Sequence, residues 1–78
     1  MLPQLLYVKN PDYIKAFGMN LRKLRQDRGW SQQQLADSAN VPKITIQRIE
    51  LAKSSATIDM TVSIANALEI EVKKLVEF

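Results

Sequence analysis

Cysteine and histidine are both absent from this 78-residue chain. Without cysteine, no disulfide or thiolate metal site can staple the fold. Without histidine, the commonest general base and the commonest metal ligand are missing. Glycine occurs only twice, and no glycine-rich loop is available to cradle a phosphate. No nucleophile–base pair or metal-ligand cluster is visible among the remaining side chains, so neither catalysis nor a cofactor is expected. The apolar runs fall well short of the about 18–20 residues that a membrane span requires. The stretch Met1–Val8 is too short for a signal h-region and lacks a basic n-region. These absences lead to the expectation of a soluble, cytoplasmic protein that does not engage a membrane.

The length allows one domain. A chain of this size buries only roughly 60–65% of the surface that its unfolded form exposes, so its core must be thin. The net charge of +3 is unevenly spread. Residues 1–28 hold six basic and two acidic side chains, residues 29–56 three and two, and residues 57–78 two and four. That bias fits an ordinary solvated surface as well as a side that faces a polyanion.

Local signals predict five helices and no sheet. Residues 1–9 are apolar, contain Pro3 and lack a helical period, which predicts a short extended arm ahead of a domain at 10–78. Asn10-Pro11-Asp12 has the order of a helix start: a cap, a proline at the first helical position, and an acid facing the positive end of the dipole. Ile14, Phe17, Leu21 and Leu24 then recur as one stripe, and Gly29 should end the helix. Ser31 with Gln34 forms a capping box, followed by an inner face of Leu35, Ala36 and Ala39. Asn40 tolerates the left-handed conformation that a sharp turn demands. A third helix at about 42–51 turns Ile46 and Ile49 inward, and the short turn before it forces a steep crossing. After the polar loop 53–56, Thr57 caps a fourth helix whose core side is expected to hold Ile58, Val62, Ala65 and Leu68, joined by Ile64. Residues 69–71 break the chain again, and Val72, Leu75 and Val76 predict a short last helix.

The third helix carries the chemistry. With Ile46 and Ile49 at the core and about 100° per residue, Ile44, Gln47, Arg48 and Leu51 fall on the far side. Lys43, Thr45 and Glu50 fall on the flanks. Arginine can bond guanine O6 and N7 bidentately, glutamine can do the same with adenine N6 and N7, and isoleucine can touch a thymine methyl. Any exposed helix shows some polar residues, but a plain solvated face gains nothing from Ile44 and Leu51. Those two fit a thymine-contacting face or a protein partner equally well. At the start of the second helix, free backbone N–H groups and the dipole attract phosphate, and the Gln32 side chain can reach one. Lys53, Ser54 and Ser55, just past the third helix, can hold another. Arg25 and Glu50 each lie roughly 60–70° off the apolar centre of their helices, half inward. They can meet as a pair that fixes how the first helix sits on the third, or remain separate surface charges.

Leu21-Arg22, Leu24-Arg25, Gly29-Trp30-Ser31-Gln32, Leu35-Ala36, Ala39, Ile46, Arg48-Ile49-Glu50, Ile64-Ala65 and Ala67-Leu68, in this order and spacing, resemble the lambda-repressor-like domain of Cro/repressor and XRE-type regulators. The likeness runs from about residue 14 to 76. It implies a five-helix bundle whose second and third helices form a DNA-reading helix-turn-helix. It implies a phosphate contact at Gln32, base-edge or phosphate positions at Lys43, Ile44, Thr45, Gln47 and Arg48, and the Arg25–Glu50 pair. It also implies a homodimer on two-fold symmetric double-stranded DNA, often joined through the last helix. Four departures stand out. Asn40, Ala52 and Glu69 occupy places where glycine is usual, and Glu71 stands where the family usually has a serine cap. The expected function is a sequence-specific DNA-binding transcriptional regulator. The alternative is an antitoxin that binds a toxin protein and represses its own operon, suggested by Leu2, Leu5, Leu6, Tyr7 and Val8 in the arm and by Ile44 and Leu51. The arm can equally pack on its own bundle or pair with its twin.

Overall fold

The computed structural model describes residues 10–78, so the arm assigned to 1–9 lies outside the described residues. Five helices follow in order: α1 (Pro11–Asp27), α2 (Gln32–Ala39), α3 (Lys43–Glu50), α4 (Ile58–Leu68) and α5 (Val72–Val76). No strand occurs among the described residues. The fold is the all-α, lambda-repressor-like bundle. Helix α2 packs between α3 and α4, while α1 crosses α3 and also holds α5.

Each helix begins and ends for a local reason. Pro11 opens α1 at its first turn and Asp12 lies in that turn, where the positive end of the dipole favours an acid. Asn10 holds the cap position without a side-chain bond to the helix; its carbonyl accepts from the Ile14 amide. Gly29, at φ +74°, turns the chain after α1. The capping box of α2 is complete: the Ser31 hydroxyl accepts from the Gln34 amide at 3.0 Å, and the Gln34 side chain accepts from the Ser31 amide at 2.7 Å. Asn40 ends α2 in the left-handed conformation. Thr57 caps α4 by accepting from the Met60 amide at 3.1 Å.

Leu21, Leu35, Ala36, Ala39, Ile46, Ile49, Ile64, Ala65, Leu68 and Leu75 form one buried cluster, with Phe17, Leu24 and Trp30 packed on its edge. The inner stripe of α4 differs from the expected one. Thr61, Ile64, Ala65 and Leu68 face the core, whereas Ile58 is 83% and Val62 42% exposed. The buried set recurs at spacings of three and four, and Val62 sits about 110° from its centre. Ile58 is the first helical residue, on the same outer side. Thr61 enters the core because its hydroxyl donates to the Thr57 carbonyl at 2.8 Å, satisfying the polar atom within the helix itself. In α5 only Leu75 is buried, and Val72 and Val76 stay on the surface.

Helix α5 has five residues, too few for independent stability. It is pinned from α1. Asn20 Nδ2 donates to the Lys74 and Leu75 carbonyls at 3.0 and 2.8 Å. The Tyr13 hydroxyl donates to the Val76 carbonyl, and its ring lies 4.9 Å from that of Phe78.

Candidate nucleic-acid interface

Ile46 and Ile49 are fully buried and lock the inner face of α3 against the bundle. The outer face therefore projects outward by helical geometry. Lys43, Ile44, Gln47, Arg48 and Leu51 are exposed, and Thr45 is half-buried on the flank. Ile44 and Leu51 are each 56% exposed. The cations Lys43 and Arg48 stand on α3, and Lys53 follows it in the loop, exposed as well.

Behind this face sits a buried ionic network. Arg25 Nε donates to Glu50 Oε2 at 2.7 Å and its Nη2 to Glu50 Oε1 at 2.9 Å, a bidentate pair. The third arm of the guanidinium, Nη1, donates to the Trp30 carbonyl at 2.7 Å. The two side chains retain only 9% and 3% of their exposure. Hydrogen bonding to Glu50 raises the Arg25 pKa above its ordinary value; burial opposes that rise and the Glu50 charge adds to it. The pair joins the last turn of α1 to the last residue of α3, which sets the pitch of α3 on the bundle.

Gln32, half-buried at the first position of α2, also belongs to this network. Its Nε2 donates to Glu50 Oε1 at 3.1 Å. The side chain expected at a phosphate is thus tied to Glu50 through one of the two N–H groups of its amide. The backbone amides of Gln32 and Gln33, at the first two helical positions, have no intrahelical acceptor by position and remain the anion-attracting feature there.

The loop after α3 returns toward its own helix. Ala52 adopts φ +58°, and the Lys53 and Ser54 amides both donate to the Arg48 carbonyl, at 2.8 and 3.3 Å. The Ser54 hydroxyl accepts from Arg48 Nε at 3.0 Å. Ser54, assigned to a phosphate on sequence grounds, is therefore engaged by Arg48.

Two positions that matter were not singled out in the sequence. Gly18 is where α1 crosses the end of α3: a Cβ there would overlap the Ile49 carbonyl oxygen and lie 3.1 Å from that of Glu50. A mid-helix glycine is the only signal, and it does not name the partner. Arg28 closes the other side of the bundle. Its Nη1 donates to the Leu68 carbonyl at 2.8 Å, its Nη2 pairs with Glu69, and the guanidinium lies 4.6 Å from the centre of the Trp30 ring. Among the described residues, no group of acidic side chains is arranged to hold a metal ion. None of the helices among the described residues is long and apolar enough to cross a membrane.

Known proteins fit this geometry. No curated protein matches the chain. The restriction-modification controller protein C.AhdI from Aeromonas hydrophila is 29% identical, with a TM-score of 0.78 over 80% of this chain and 94% of that one. The clp gene regulator ClgR from C. glutamicum, at 24% identity and TM-score 0.76 over 81% of this chain and 82% of its own, shares the fold. So does the hypothetical transcription factor NHTF from Neisseria, at 20% identity and TM-score 0.78 over 87% and 79%. Residues 21–75, which include all of α2, α3 and α4, match the helix-turn-helix family model. With the geometry above, this makes the chain a member of the helix-turn-helix family, of the Cro and XRE type of DNA-binding regulator.

Proposed function

We propose that this protein reads a specific sequence in double-stranded DNA by laying the outer face of α3 in the major groove. The observation that carries the reading is the outward projection of Gln47 and Arg48 from a helix anchored behind by Ile46 and Ile49. Gln47 and Arg48 are the base-reading pair, Ile44 meets a thymine methyl, and Lys43 and Thr45 border the groove. The start of α2 at Gln32 and the cation Lys53 grip the backbone on either side of the groove and set the register.

The protein acts as a homodimer on an inverted repeat in the cytoplasm, with its two third helices about 34 Å apart, one turn of DNA. Ile58 and Val62, side by side on the outer face of α4 and exposed, support a contact between copies. Occupancy of the site then regulates the adjacent promoter. A second reading, a protein partner such as a toxin on the outer face of α3, draws on the exposed Ile44 and Leu51.

Selection of bound duplexes from random DNA tests the main reading. Enrichment of an inverted repeat supports both sequence reading and symmetry. A bound pool with the same base composition and order as the starting pool would sink it.

A further inference from the structure

Arg48 stands on an exposed face, and a long side chain in solvent loses rotamer freedom when it is fixed by a ligand. Here it is already held. The left-handed turn at Ala52 brings the loop back, so that the Arg48 carbonyl receives the amides of Lys53 and Ser54 while its Nε meets the Ser54 hydroxyl. One residue is thus gripped at both backbone and side chain by the segment that follows its helix. With Nε engaged, the guanidinium keeps its outer edge, Nη1 and Nη2, as the pair of donors it can present. That edge matches two adjacent acceptors in one plane, such as guanine O6 and N7.

We infer that Ser54 is a positioning residue for Arg48: its hydroxyl holds Nε so that the guanidinium meets a base end-on, and Ser54 acts on DNA through Arg48 rather than by its own phosphate contact. The inference rests on the reading of Arg48 as a base contact. The Ala52 turn is part of the device, because a helix continuing past Leu51 would carry Ser54 away from Arg48.

Binding is measured with the selected duplex and with one altered at the base pair that Arg48→Ala no longer distinguishes. The proteins are the unaltered chain, Ser54→Ala, Ser54→Thr, Arg48→Ala and the double variant Arg48→Ala/Ser54→Ala. Ser54→Ala is expected to weaken binding to the selected duplex about 3- to 10-fold, the worth of one hydrogen bond, and to change binding to the altered duplex little. Ser54→Thr, which keeps the hydroxyl, restores the affinity. In the Arg48→Ala background, Ser54→Ala has no further effect. In the free protein, the Arg48 Nε–H resonance in nitrogen-15 NMR shifts and exchanges faster in Ser54→Ala but not in Ser54→Thr. Equal losses on both duplexes, additive losses in the double variant, or an Nε–H indifferent to Ser54→Ala would each overturn the proposal. Should Arg48→Ala leave both duplexes bound as before, the proposal falls with its premise. The Nε–H response then separates that failure from the absence of the Arg48–Ser54 bond.

Discussion

Gly18 lies against the carbonyl oxygen of Ile49, at a distance that admits no side chain between α1 and α3. Glycine in the middle of a helix costs about 0.5–1 kcal/mol relative to alanine, so local propensity alone favours replacement. Packing decides otherwise. The colliding atom is backbone, in a helix held by two buried isoleucines, and it cannot swing aside. Gly18→Ala is expected to destabilise the fold by about 1–3 kcal/mol, as overpacking does. Urea denaturation followed by circular dichroism measures it, and an unchanged or higher midpoint would contradict the account.

Ala52 gives the opposite sign. It holds φ +58°, a conformation that costs an ordinary residue about 1–2 kcal/mol. Glycine relieves that strain but has more freedom to lose from the unfolded chain, so Ala52→Gly should stabilise by about 0.5–1 kcal/mol. Glu69→Gly, at φ +56°, should gain less, since it also removes the partner of Arg28. Melting temperatures of the two variants, ranked against the unaltered chain, check both the sign and the order.

Glu50 is the shared acceptor of Arg25 and Gln32. Removing it leaves a guanidinium buried without its counter-charge. Glu50→Ala should therefore cost about 3–5 kcal/mol, whereas replacing Arg25 and Glu50 together by apolar side chains of similar volume should cost far less. Because the folded Arg25 pKa is raised, its contribution is complete below the ordinary arginine range and is lost only as pH rises through the higher folded value. The stability gap between the unaltered chain and Glu50→Ala should accordingly hold steady between about pH 7 and pH 10. A gap that narrows across that range in urea titrations would show that Arg25 is not the group responsible.

Arg48 and Lys53 should separate by the kind of loss they cause. Arg48→Ala is expected to weaken binding to the selected site by about 1–3 kcal/mol and to relax the choice at one base pair. Lys53→Ala should weaken binding on every sequence and lower the slope of log affinity against log salt by about one. Titrations on selected and scrambled duplexes at several salt concentrations distinguish the two. A uniform loss for Arg48→Ala would make it a phosphate contact instead.

Much of this architecture is legible in the residues because it depends on neighbours along the chain. Ser31 with Gln34, Thr57, Pro11 and Gly29 mark helix ends through bonds or torsions confined to a few residues. The anchors Ile46 and Ile49 fix which face of α3 is outward, because a helix of known period has only one opposite side.

What the third dimension decided concerns atoms brought together from distant segments. The inner stripe of α4 passes over Ile58 and Val62 in favour of Thr61, because hydrophobicity does not say where the neighbouring helix lies. The need for glycine at position 18 arises from a carbonyl 31 positions away in the chain. Gln32 bonds to Glu50 and Arg48 to Ser54 because a crossing angle and a left-handed turn place them within reach. Periodicity specifies directions around one helix axis; only packing specifies the distances between axes, and hydrogen bonds are made at distances.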